Sequence, residues 1–223
     1  PYTEATIKAH YKGCGITEMA LDEGIDLNTK NGATVMHYPD GVKCKTFNII
    51  DPIAEADVIV NICKLKTHSL TKMNAGTKNL FGCIPGVEKF EMHARFPEQE
   101  NFIEMICDLC SMLSTAKEMI TVCDGITGME GNGPTQGTPR KIGALLASAS
   151  PHALDLAAAS LIGLGVSDVP TLQAAYAQQL IPATAEELEI VGSLSELAVP
   201  DFENIHVRRS LQFEGNGKFA AMF

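Results

Sequence analysis

Residues 57–63 read DVIVNIC, and residues 64–86 continue KLKTHSLTKMNAGTKNLFGCIPG. The first stretch sets four aliphatic residues, Val58, Ile59, Val60 and Ile62, in a short run between charged residues, which predicts a buried strand. The second is polar and basic. It predicts a loop over Lys64–Thr71 that enters a helix from about Thr71 to Phe81, closed by Gly82 and followed by Pro85-Gly86. A strand feeding a polar loop and then a helix is the repeating unit of an α/β sheet.

Working outward, Tyr2–Lys12 has weak helical periodicity ending at Gly13-Cys14-Gly15. Ile16–Leu21 suits a second short helix capped by Thr17. Ala33–Tyr38 and Lys45–Ile50 read as strands joined through Pro39-Asp40-Gly41, a hairpin turn, with a short helical piece at Ile53–Ala56. Beyond the basic segment, Phe102, Ile106, Leu109 and Leu113 fall at helical spacing within Glu98–Leu113. Glu118–Cys123 is a second core strand, followed by Asp124 and a glycine-rich loop to Pro139. Ile142–Ala147 is a third strand. Pro151–Leu164 and Leu172–Gln179 are helices, and Leu188–Val191 is a late strand. An irregular tail occupies 200–223, with a turn at Gly215–Gly217. Strands alternating with helices predict one α/β domain over 1–223: a three-layer, largely parallel sheet with helices on both faces.

Composition narrows the function. Acidic residues outnumber Lys and Arg by 27 to 17, a net charge of -10, which disfavours a nucleic-acid surface but leaves room for a local basic pocket. No run approaches the roughly 20 apolar residues of a membrane span. Seven cysteines, an odd number scattered through apolar segments, suit a reducing, cytoplasmic setting without a disulfide framework.

The chemistry-bearing residues gather after the two predicted core strands. Lys64, Lys66, His68, Lys72 and Lys78 form the densest basic cluster of an acidic chain, with Thr67 and Asn79 adding hydrogen-bonding groups. Ligands of open α/β sheets bind at the carboxyl ends of strands, and helix starts favour anions. The spacing is not that of a phosphate loop. Asp124, with Gly125 and Gly128 in the loop behind it, offers a base or metal ligand and a backbone that can approach a ligand closely. Asp155 lies in an apolar helical turn and needs a partner, for which a lysine of the basic loop is one option. The bland alternatives are solvated lysines, a flexible connection and an aspartate easing a helix dipole. Cys107-x-x-Cys110 falls inside the amphipathic helix, away from the helix start where redox pairs sit.

The segments KLKTHSLTKMNAGTKNLFGCIPG, HARF (93–96) and CDGITGMEGNGPTQGTP (123–139) resemble domain-of-unknown-function family 362, over about Tyr2–Leu164. The resemblance marks Lys64, Lys66, Thr67, His68, Lys78, Asn79, Asp124, Gly125 and Asp155 as matching positions. Members often carry a ferredoxin-type [4Fe–4S] module after the α/β domain. The C-x-x-C-x-x-C-x-x-x-C signature of that module is absent here, so no cofactor is expected within this chain, and a cluster is expected only in a further C-terminal module. An amino-terminal strand and helix unit of the family also falls ahead of Pro1, which suggests a piece of a longer protein or a short member.

Three readings follow. In the first, Lys66 and His68 bind or protonate a small anionic ligand, phosphate or carboxylate, and Asp124 acts as base or metal ligand. Lys64, Thr67, Lys78, Asn79, Gly125, Gly128 and Asp155 line that site. In the second, the basic loop docks a ferredoxin-like domain or protein. In the third, His68, His93 and Asp124 hold a metal.

Overall fold

The computed structural model describes residues 3–205. Helices α1 (Glu4–Gly13) and α2 (Ile16–Glu23) lead into strands β1 (Ala33–His37) and β2 (Thr46–Ile50) and helix α3 (Asp51–Glu55). Then come β3 (Val58–His68), β4 (Lys72–Asn74), α4 (Gly76–Asn79), a 3-10 turn at Leu80–Cys83, α5 (Gly86–Arg95) and α6 (Gln99–Ala116). Strands β5 (Glu118–Glu130) and β6 (Thr138–Ser148) and helices α7 (Pro151–Leu161), α8 (Pro170–Ala177) and α9 (Leu194–Leu197) follow. The cap of α2 is Gly15, in the left-handed region, rather than Thr17. Leu188–Val191 is not a strand. The expected turn at Gly215–Gly217 lies outside the described residues.

The expected hairpin is present: β1 and β2 pair antiparallel, and the Gly41 amide bonds the Tyr38 carbonyl at 3.0 Å to make the turn. Behind that turn, the buried Asp108 carboxylate of α6 accepts from the amides of Val42 (2.9 Å), Lys43 (2.6 Å) and Cys44 (2.7 Å). One carboxylate thereby satisfies three loop donors and pins the hairpin to the central helix.

The main sheet has the order β4-β3-β5-β6. Only β3 and β5 run parallel; β4 and β6 are antiparallel to their neighbours. The sheet is therefore mixed rather than largely parallel. The difference arises because β3 and β5 run well past their aliphatic runs. Beyond Cys63 the chain keeps its period of two, with Leu65 and Thr67 buried and Lys64, Lys66 and His68 on the other side. A half-exposed strand alternates in this way, so the basic segment extends β3 and returns as β4. Likewise the glycine-rich segment extends β5 to Glu130 and pairs with β6 through Glu130↔Thr138. No Thr71–Phe81 helix forms; β4, α4 and the 3-10 turn occupy that stretch.

The same alternation decides the layering. On β3 and β5 the residues Ile59, Asn61, Cys63, Met119, Thr121 and Cys123 are buried, whereas Val60, Ile62 and Ile120 are exposed. The core lies on the buried side in two clusters: residues of α6 share one with Phe47, Ile59 and Phe81, and residues of α7 and α8 share the other with Leu65 and Cys123. Among the described residues, helices thus cover one face of the sheet, not both.

Removing the hairpin anchor is the sharpest test of this packing. Asp108→Ala leaves three amide donors without their acceptor, and urea unfolding should show a loss of about 3 kcal/mol. A loss below about 1 kcal/mol would show that the hairpin does not depend on this carboxylate.

Candidate functional site

The outward side of β3 carries Lys64, Lys66 and His68 in succession. Lys64 pairs with Asp124, its register partner on β5, and also donates to the Thr127 carbonyl at 3.2 Å. This ion pair holds the Asp124 carboxyl below its usual range, helped by the Ile126 amide, so Asp124 is ionised and paired with Lys64. Lys66 reaches the Pro134 carbonyl at 3.2 Å in the turn after β5. Gly133 is required in that turn, because a Cβ would run into the Thr67 carbonyl.

His68 closes the strand. Its Nδ1 accepts from the amides of Leu70 (3.1 Å) and Thr71 (3.3 Å), which shapes the turn into β4 and leaves the ring proton on Nε2. Burial, then the charges of Lys78, Lys66 and His93, push its pKa down to about 3. His68 is consequently a neutral hydrogen-bond donor at pH 7, unsuited to protonating a substrate as an imidazolium.

Helix α4 packs against β3 where β4 stops. The Asn79 amide donates to the Asn61 side chain (2.8 Å) and to the edge carbonyl of Ile62 (3.0 Å), while Asn61 donates to the Gly76 carbonyl (3.0 Å). Beneath it, buried Asp155 accepts from the amides of Gly76 (2.6 Å) and Thr77 (3.1 Å). These amides, not a lysine of β3, are its partners. Burial outweighs them and pushes the Asp155 carboxyl up to about 6. Buried Asn61 and Asp155, with partly exposed Asn79, fix α4, and α4 carries Lys78.

The Lys78 ammonium stands 4.6 Å from the centre of the Phe81 ring. Burial, then the charges of Lys89 and Lys66, push its pKa down to about 8. Lys89 and His93 are not marked as a pair by composition, because the polar sequence of α5 resembles a connection. They stand four residues apart on that helix, a spacing that puts both on one face and was the available signal. His93 stacks on Phe102 at 4.3 Å, its Nδ1 is buried without a hydrogen-bond partner, and burial with the charge of Lys78 pushes its pKa to about 4. Lys66, His68, Lys78, Lys89 and His93 therefore form a cluster of basic side chains from three elements, in which the lysines carry the positive charge. Among the described residues none of the three lysines is ion-paired with a carboxylate.

The other expected lining residues stand elsewhere. Thr67 is fully buried on the core side and donates to the Met129 carbonyl. Gly125 and Gly128 lie within the sheet, where a Cβ would press on the Ala144 carbonyl and on the Leu65 carbonyl respectively. Among the described residues no three His, Cys, Asp or Glu side chains group as metal ligands, so His68, His93 and Asp124 do not converge. Cys107 and Cys110 are buried in α6, and burial raises both thiols.

The chain belongs to the family described as Domain of unknown function (DUF362), whose model matches residues 2–160. A relative within reach of comparison is "Thylakoid-associated protein sll1697" of Synechocystis sp., 34% identical over 160 residues, which are 71% of this chain and 49% of that protein. The chain thus spans about half the length of that curated relative. No solved structure matches it.

Two stability tests follow from these shifts. The His68 ring stays neutral when folded but takes a proton near pH 6.5 when unfolded, so its stabilising contribution is present above that pH and is lost as pH falls towards 3. Between pH 7 and pH 5 the native chain should lose about 2 kcal/mol more in urea unfolding than His68→Asn, which keeps an acceptor for the turn. Equal losses would exclude a buried neutral ring. Conversely, Lys78 binds its proton more weakly folded than unfolded, which costs stability below about pH 8 and ceases to do so as pH rises towards 10.5. Lys78→Met should be about 2 kcal/mol more stable at pH 7, with the gain shrinking as pH rises above about 8. A destabilised variant at pH 7 would contradict the crowding of charge.

Proposed function

We propose that this domain binds a small anion, a phosphate or a carboxylate, in the cluster of Lys66, His68, Lys78, Lys89 and His93 at the carboxyl end of β3. The observation that carries the reading is Lys78: a largely buried ammonium among other cations, with no carboxylate paired to it among the described residues. Such an arrangement costs stability when empty and is relieved by an incoming negative charge. Lys66, Lys78 and Lys89 supply charge, and the Nε2–H of neutral His68 supplies a directional donor. Lys64 and Asp124, neutralising each other on the same side of β3, form the rim. Asn79 and Asp155 position α4 rather than touch the ligand.

The setting we propose is cytoplasmic. The Synechocystis relative is named for its association with thylakoids, and no helix among the described residues of this chain is long and apolar enough to cross a membrane. A [4Fe–4S] cluster belongs to this reading only on a separate ferredoxin-like partner or module.

Thermal unfolding at constant ionic strength, with phosphate, oxalate or pyruvate replacing chloride, tests the reading. At about a hundred times its dissociation constant, the bound anion should add about 2.7 kcal/mol, a rise of several degrees. Lys66→Ala and Lys78→Met should abolish the rise. If no anion stabilises the native chain, while an acidic ferredoxin binds it in a salt-sensitive manner, the basic surface is a docking site and the ligand reading fails.

A further inference from the structure

The sheet face opposite the helices is apolar where water would favour polar groups. Period-two alternation turns Val58, Val60 and Ile62 of β3, Ile120 of β5 and Leu145 and Ala147 of β6 away from the core, and all six are exposed. The strand register makes them one patch. Val60 lies opposite Ile120, and Ile62, Val122 and Ala147 form the next row across three strands. Ile62 is 69% exposed and Leu145 66%, so the described residues shield little of either. A patch of this kind is on the order of 500 Å², at the upper end of what a monomer exposes.

The two ends of the patch carry charge of opposite sign. At the amino ends of β3 and β5 stand exposed Glu55, Asp57 and Glu118, with Lys117 as the one counter-charge beside them. At the carboxyl end of β3, on the same outward side as the patch, stand Lys64 and Lys66, of which Asp124 offsets one. Along the strands the face is therefore acidic, then apolar, then basic. Such a surface is complementary to itself when one copy is turned end for end over another. Aliphatic rows then meet aliphatic rows, and each basic end meets an acidic end.

We propose that this face is the interface of a twofold-symmetric dimer, in which a second copy of the chain packs sheet on sheet with its strands reversed. Two patches with their charged margins reach the roughly 1,200 Å² at which specific interfaces begin. Sheets stacked in this way lie about 10 Å apart and cross at about 30°. The inward residues of β3 fill the chain's own core, and its outward aliphatics fill a second core shared between copies.

Sedimentation equilibrium of the full chain tests the proposal. The expected mass is twice the 23.9 kDa of one chain, and the thermal midpoint should rise with protein concentration. Ile62→Asp puts a charge in the patch without touching the core. It should weaken association by about a hundredfold or more and leave a monomer with an unchanged circular dichroism spectrum. Val60→Asp repeats the test in the neighbouring row should the first variant fail to fold. Leu21→Asp, at a 77% exposed aliphatic of α2 outside the sheet, should leave the dimer intact. Asp57→Lys combined with Glu118→Lys makes both ends basic. It should weaken association about tenfold or more at low salt, with the difference closing as salt is added. A native chain that stays monomeric, or a dimer that survives both patch variants, would overturn the proposal. Equal dissociation by Leu21→Asp would do the same. A double charge variant that associates as tightly as the native chain would overturn the end-for-end arrangement.

Discussion

Strand β3 is bonded on one side to β5 along most of its length and on the other to β4 at its carboxyl end. Its period of two is unbroken from Val58 to His68, so every inward residue joins the core and every outward residue is excluded from it. That constraint organises the molecule. Inward, Ile59, Cys63 and Leu65 anchor both halves of the core. Outward, the same geometry sends Lys64, Lys66 and His68 to one side without any loop being needed to gather them.

The short length of β4 has a consequence for the site. It pairs with β3 only over Lys66–His68, and the edge that remains is filled by α4. Asn79 occupies the exposed carbonyl of Ile62, Asn61 holds the Gly76 carbonyl, and Asp155 takes the Gly76 and Thr77 amides. A four-residue helix is too short to persist by itself. Buried side chains from β3 and α7 hold it, and its placement brings Lys78 to the cations of β3 and α5. Gly76 is part of the fit, since a Cβ there would meet the Thr121 methyl at 2.8 Å.

The cationic cluster runs against stability. His68, Lys78 and His93 all bind protons less readily than in water, with burial the largest cause in each. Packing around Phe81 and Phe102 tolerates this because the aromatic faces offer partial compensation and the core behind them is closely filled. The proposed anion would relieve this repulsion among Lys66, Lys78 and Lys89, to which the neutral His68 ring does not add.

Much was legible from the residues alone. The aliphatic runs at Val58–Ile62 and Glu118–Cys123, the hairpin at Asp40-Gly41 and the spacing of Phe102, Ile106, Leu109 and Leu113 specify elements through local periodicity and turn chemistry, and each formed. The basic segment and Asp155 also stood out as chemically unusual. The extension of β3 and β5 was encoded as alternation too, but polar and glycine residues masked it, since both are common in loops. What neither composition nor spacing contains is distance between segments. Only tertiary packing set Lys89 and His93 beside Lys78, assigned Asp124 to Lys64, and gave Asp155 to backbone amides. Those pairings arise from long-range contacts whose energy depends on three-dimensional burial, and burial is a property of the folded chain, not of its order of residues.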